Sequence, residues 1–266
     1  MPSPQQIPHI LVIDNYAPNH PDYERLAQTT GIVFRKTVQE RITKLCQELF
    51  LQDVQITFQK AEELSREKLK ELLFKPKWDL IIVSGSPFTI DDQDEWITNQ
   101  IHVYQQIFEQ GIHAPFLGIC FGHQLMAIAA GGKVDSVRKY YHGDAALLLE
   151  NGDTVPIHRS HRYYVSDIPK KANVLATSED MIEEKRLPYA FVYDTEHTHR
   201  IVTLQPHPEC SVTCQVVTLL REWLGLSSHN NLAKETKFIT SDFPLKSTAD
   251  TLELFESHPS GTIIRS

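Results

Sequence analysis

A chain of 266 residues with 41% hydrophobic content can bury a large core, and one α/β domain of this size is ordinary. Its formal net charge of −8 offers no basic stripe to neutralise phosphates, which argues against nucleic acid as a partner. No uninterrupted apolar run approaches the ~20 residues of a membrane helix, which argues against a membrane partner.

The opening Met1-Pro2-Ser3-Pro4-Gln5-Gln6-Ile7-Pro8 has neither the basic start nor the apolar stretch of a secretory signal. Cys46, Cys120, Cys210 and Cys214 form no Cys-x-x-Cys pair, and no Cys/His cluster has zinc-finger spacing. No metal site is therefore expected, and a reducing, cytoplasmic setting is.

Ile10-Leu11-Val12-Ile13 reads as a first strand. Residues 38–49 place Val38, Ile42, Leu45 and Leu49 at helical spacing, and residues 54–58 alternate like a strand. Residues 61–74 read as one amphipathic helix with Leu64, Leu69, Leu72 and Leu73 inward. The apolar stretch from Leu80 to Val83 reads as a buried parallel strand ending in the small-residue turn Ser84-Gly85-Ser86-Pro87. Such a turn can present a bare backbone N–H to a developing oxyanion. The cluster Asp91-Asp92-Gln93-Asp94-Glu95 places negative charge at the start of a helix predicted over 95–110, matching its dipole.

Next comes the apolar run Ala114-Pro115-Phe116-Leu117, then Gly118-Ile119-Cys120-Phe121-Gly122-His123-Gln124, then strong helix formers at 125–130. That pattern is a strand, a tight turn carrying a thiol, and a helix beginning at once. The flanking glycines allow the sharp bend and close approach of neighbouring chain. Unpaired N–H groups and the dipole at the helix start favour a thiolate on Cys120. The N–H of Phe121, just after this candidate nucleophile, is the second candidate oxyanion donor.

From 133 to 192 the pattern turns shorter and strand-rich, with a turn at Asn151-Gly152-Asp153. A buried strand follows Arg200 and runs into Gln205-Pro206-His207-Pro208-Glu209. The two prolines stiffen the turn around His207. Glu209 is placed to orient one imidazole nitrogen while the other faces the thiol. Cys210 and Cys214, one helical turn apart, read as helix packing next to the active site, and a final helix is predicted over 211–224. After Leu226 a polar break, Ser227-Ser228-His229-Asn230-Asn231, opens a tail expected to be partly disordered, with a helical pattern only at 249–256. Alternating strands and helices favour an α/β fold with a mostly parallel open sheet flanked by helices.

Taken together, residues 10–224 resemble the class I (triad) glutamine amidotransferases. Their elbow, Gly-x-Cys-x-Gly-x-Gln, is met by Gly118, Cys120, Gly122 and Gln124, and their His-Pro-Glu string by His207, Pro208 and Glu209. Their oxyanion loop usually reads Gly-Gly-Pro. Here Ser86 replaces the second glycine, and Ser84-Gly85-Ser86-Pro87-Phe88 looks more like the loop of the γ-glutamyl peptidase branch. Ser160-His161-Arg162-Tyr163 resembles the stretch whose backbone contacts glutamine, which implies that Ser160, Arg162 and Tyr163 line a substrate pocket with Gln124. The resemblance also implies a small antiparallel extension between 133 and 192. It makes 1–226 a catalytic domain and 227–266 a C-terminal extension.

The implied activity is release of ammonia from the glutamine side chain through a γ-glutamyl thioester, with Cys120, His207 and Glu209 as triad. Ser86 and Phe121 hold the oxyanion, and no cofactor is needed. The substrate is glutamine or a γ-glutamyl compound, with room for a separate synthase partner. Two alternatives stay open: a γ-glutamyl peptidase or hydrolase acting on conjugates, and an inactive regulatory or binding subunit.

Overall fold

The computed structural model describes residues 6–17, 35–92, 94–193 and 200–226. The expectations for 227–266, the helical pattern at 249–256 included, lie outside them. In chain order the elements are β1 (His9–Asp14), α1 (Arg35–Phe50), β2 (Gln55–Lys60), a 3-10 turn (Ala61–Glu63), α2 (Arg66–Leu73), β3 (Leu80–Val83), α3 (Glu95–Gln110), β4 (Phe116–Ile119) and α4 (Phe121–Ala129). Then come β5 (Lys133–Leu149), β6 (Thr154–Asp167), β7 (Ala172–Ser178), β8 (Pro188–Tyr193), β9 (Ile201–Leu204), a 3-10 turn (Pro208–Cys210) and α5 (Cys214–Leu224).

The nine strands make one sheet in the order β2-β1-β3-β4-β9-β8-β7-β5-β6. The first five in that order pair parallel. The other four join antiparallel and carry the expected extension out from β9.

Strand alternation splits the core into two apolar layers. On one face Ile10, Val12, Leu80 and Ile82 pack with Ile42 and Leu45 of α1 and Val216 and Leu220 of α5. On the other, Leu11, Ile13, Ile81 and Val83 pack with Leu69 of α2, Tyr104 of α3 and Leu125 of α4. Each such side chain, removed from water, contributes about 1.5–3 kcal/mol before entropy is counted. No helix among the described residues is long and apolar enough to cross a membrane.

Two helix boundaries differ from the sequence expectation, each because a hydroxyl caps the backbone. The single helix predicted over 61–74 is a 3-10 turn followed by α2, because Ser65 is extended and accepts the Lys68 N–H. The final helix begins at Cys214 rather than 211, because Thr213 caps it by accepting the Val216 N–H. Cys210 sits in the preceding 3-10 turn. Of the acidic cluster, Asp94 stands at the N-cap position of α3 and Glu95 in its first turn, as expected, while Asp91 and Asp92 bond elsewhere. The Asp92 carboxylate accepts the Thr89 backbone N–H at 2.7 Å, and Asp91 accepts the Tyr163 hydroxyl at 2.8 Å.

β4, α4 and β3 meet at one contact that fixes the elbow. A Cβ on Gly122 would stand 2.5 Å from the Val83 carbonyl oxygen and 2.9 Å from its Cγ1, so only glycine lets α4 start this close to β3. Gly122→Ala is expected to destabilise the fold by about 3 kcal/mol, the upper range for overpacking. Urea unfolding of the two proteins measures it, and a loss below about 1 kcal/mol would show that α4 can move away freely.

Candidate active site

Cys120 occupies the N-cap position of α4 with φ 50 and ψ −97. A non-glycine residue there stores about 1–3 kcal/mol of strain. It is held from both sides: its N–H donates to the Leu204 carbonyl at 2.7 Å, and its carbonyl accepts the Gln124 N–H at 3.1 Å. Cys120 as a residue is only 6% exposed. Around it, the Gln205 side-chain amide donates to Sγ at 3.5 Å, and Sγ faces the Ser160 carbonyl at 3.8 Å.

His207 follows β9 and is fixed by its own N–H, which donates to the His158 carbonyl at 2.8 Å. Its Nδ1 lies 2.7 Å from Glu209 Oε1, and both side chains are buried. Nε2 is buried and has no hydrogen-bond partner, and the charge of Cys120 acts on this ring. Gly85 supplies the space: a Cβ there would come within 3.0 Å of His207 Cε1 and 3.5 Å of Cys120 Cβ.

Burial opposes a charge on His207, but Glu209 and then Cys120 outweigh it, and the imidazole is held well above its ordinary range. Its neighbours behave oppositely. Burial lowers His123 to about 3, and burial with Arg159 and His207 lowers His161 to about 3. His123 stacks on Phe191 and bonds Thr203 Oγ1 at 2.8 Å, while His161 Nε2 meets the Tyr189 hydroxyl at 3.1 Å. Of these three buried histidines, the one beside a buried carboxylate is the one held basic.

The loop after β3 is braced against the end of β1. Ser84 Oγ accepts the Asn15 N–H and donates to the Gly85 carbonyl, and Asn15 Nδ2 donates to the Ser84 carbonyl, each at 2.9 Å. Ser86 Oγ donates to the Asn15 carbonyl at 2.7 Å and accepts the Phe88 N–H at 3.0 Å. Serine at 86 thus does in this loop what a second glycine cannot: its hydroxyl closes the turn. Phe88 packs edge-on against Trp96, centroids 5.6 Å apart.

A cavity of about 280 Å³ opens over the thiol, lined by Ser86, Cys120, Phe121, Gln124, Ser160, Arg162 and Tyr163 among others. Every oxyanion and substrate-binding residue expected from sequence thus borders the same cavity as Cys120. Arg138 and Tyr140 line it too, and sequence reasoning missed them. Ser136 pairs with Tyr163 and Tyr141 with His161, so Val137, Arg138, Lys139 and Tyr140 bulge opposite Arg162 alone. Tyr140 reaches Ser160 Oγ at 2.6 Å, and Arg162 Nε donates to the Val137 carbonyl at 3.4 Å. Gln205 was also missed, although it stands in the string that leads to His207.

Among the described residues, one cluster has the donor set for a cation: His207, Glu209 and Cys210, ligand atoms within 4.8 Å of one another. The Arg41 guanidinium already donates to Cys210 Sγ at 3.0 Å and His207 Nδ1 pairs with Glu209 Oε1, so the sulfur, Nδ1 and Oε1 have other partners.

An open α/β sheet with a thiol at a strained strand-to-helix turn, facing a histidine–carboxylate pair, has the parts of a thiol-dependent hydrolase. The chain belongs to the class-I glutamine amidotransferase family, whose sequence model matches residues 36–224. It is 32% identical over 161 residues to the GMP synthase [glutamine-hydrolyzing] of Bartonella henselae, covering 56% of this chain and 28% of that protein. To the GMP synthase [glutamine-hydrolyzing] of Eremothecium gossypii it is 30% identical over 165 residues, 59% of this chain and 28% of that one. The chain thus spans less than a third of the length of these curated relatives. A putative GMP synthase subunit from Thermoplasma acidophilum shares the fold, with TM-score 0.58 and 17% identity over 84% of this chain and 94% of that one.

Because His161 is kept neutral when folded but charges in the unfolded chain near pH ~6.5, its folded value of about 3 makes the unfolded state the better proton binder. Stability conferred by the neutral ring is present above about 6.5 and falls as pH drops toward about 3. His161→Gln is expected to flatten the fall in unfolding free energy by up to about 1.4 kcal/mol per pH unit in that window. Urea titrations at several pH values check it; an unchanged slope would contradict it.

Proposed function

We propose that the chain is a glutamine-hydrolysing thiol enzyme in which Cys120, His207 and Glu209 act as a triad. The observation that carries this is the buried Nδ1···Oε1 contact of 2.7 Å on an imidazole that borders, with Cys120, the space over Gly85. His207 takes the Cys120 proton, and the thiolate attacks the side-chain amide carbon of glutamine. The N–H groups of Ser86 and Phe121 hold the resulting oxyanion, where losing one donor typically costs ~10²–10³ in rate. Imidazolium then protonates the leaving nitrogen, the carbon–nitrogen bond breaks and ammonia departs. Water, deprotonated by the same ring, attacks the γ-glutamyl thioester; the sulfur leaves and glutamate is released.

Gln124, Ser160, Arg162 and Tyr163 form the substrate pocket in this account, and residues 1–226 are the catalytic domain. The likeness to far longer proteins named GMP synthases supports a separate synthase partner that receives the ammonia. Four unpaired cysteines suit a cytoplasmic setting.

Purified protein supplied separately with glutamine and with γ-glutamyl peptides is expected to release ammonia from glutamine. Cys120→Ala should abolish it, and Glu209→Gln should lower kcat by on the order of 10³-fold. Cleavage of γ-glutamyl peptides with negligible ammonia from glutamine would replace this function with a γ-glutamyl hydrolase. Silence toward both would leave a binding subunit.

A further inference from the structure

Gln205 is completely buried, and its backbone is fixed by its N–H on the Tyr189 carbonyl at 2.8 Å. Its side chain lies between two others. At one end Gln205 Oε1 accepts from Gln124 Nε2 at 3.2 Å; at the other, Gln205 Nε2 is 3.5 Å from Cys120 Sγ. Gln124 Nε2 also donates to the Tyr163 carbonyl at 3.2 Å.

The orientation of both amides follows from the one group that cannot be turned round. A backbone carbonyl only accepts, so the end of Gln124 that meets Tyr163 must be its NH₂. That NH₂ has two protons and no acceptor capacity, so the Gln205 atom it also meets must be the oxygen. Gln205 is then obliged to aim its own NH₂ at the sulfur. A buried N–H without access to water needs an acceptor, and Cys120 Sγ is the one in reach.

We infer that Gln205 is a further catalytic residue: an N–H donor to the Cys120 thiolate, set in orientation by the relay from the Tyr163 carbonyl through Gln124. When Cys120 is a thiol, its proton faces the Ser160 carbonyl and the sulfur still accepts from Gln205. On ionisation the Ser160 contact loses its proton, while the Gln205 contact becomes charge-assisted and stronger. Gln205 thus favours the thiolate independently of the imidazole. The same N–H favours departure of the sulfur when water cleaves the thioester. Gln124 serves this role as a positioning residue, in addition to lining the pocket. The inference rests on Cys120 being the nucleophile proposed above.

The test is alkylation of Cys120 by iodoacetamide across about pH 5 to about pH 10, read at the Cys120 peptide by mass spectrometry because Cys214 is exposed and also reacts. In Gln205→Met, an unbranched replacement of similar size, the acidic limb of the rate profile is expected to move so that the same fraction of maximal rate needs about tenfold fewer protons in solution. The plateau rate should not fall, since a more basic thiolate is if anything more nucleophilic.

Gln124→Met, which leaves Gln205 free to turn, is expected to move the limb in the same direction by less. The double variant should move it no further than Gln205→Met alone. If Gln205→Met fails to fold, judged by its thermal melt, the Gln124→Met shift carries the test. An unmoved limb in a folded variant, or strictly additive shifts, would overturn the relay. Alkylation needs no substrate, so a moved limb without ammonia release would retire the proposed activity and leave the relay standing. Ammonia release with an unmoved limb would do the reverse.

Discussion

A carboxylate and an imidazole, both buried and 2.7 Å apart, are the interaction on which the site depends. Neither charge belongs in so dry a place by itself, and removing one partner would strand the other at a cost of several kcal/mol. Because they are paired, Glu209 keeps His207 basic where burial drives His123 and His161 to about 3. The prolines on either side of His207 and its N–H bond to His158 hold the ring so that this one pairing is satisfied. In the proposed reaction the proton this pair collects comes from the thiol of Cys120.

That thiol is delivered by backbone geometry rather than by side-chain freedom. β4 lies between β3 and β9, so the turn at its end is surrounded by the loops that follow both strands. The β3 loop is tied to β1 through Asn15 and brings Ser86 to the cavity; the β9 loop brings His207. The antiparallel β5–β6 pair supplies the opposite wall with Ser160, Arg162 and Tyr163. The turns after β3, β4 and β9, far apart in sequence, thus converge because these parallel strands end at the same edge of the sheet.

Much of this was legible in the chain. Leu80–Val83 and the run before Gly118 announce buried parallel strands by being apolar throughout, and glycines on both sides of Cys120 announce the elbow. The histidine between two prolines with a carboxylate two residues on announces the paired base. What could not be read has specific causes. Ser65 and Thr213 cap helices that periodicity extends through them, because a 3.6-residue pattern does not register a hydroxyl closing the first turn. Arg138 and Tyr140 reach the cavity through a bulge opposite Arg162, and a register shift leaves no trace in alternation. Gln205 looked like one more polar residue after a strand; its meaning lies in contacts with residues some eighty positions away.

The convergence of Cys120 on His207 is tested most directly by a chloroketone analogue of glutamine, with the modified residue located by peptide mass spectrometry. The account predicts one label per chain, on Cys120, prevented by excess glutamine and slowed at least ~100-fold by His207→Ala. Label on Cys46, Cys210 or Cys214 instead, or an undiminished rate in the His207 variant, would contradict it.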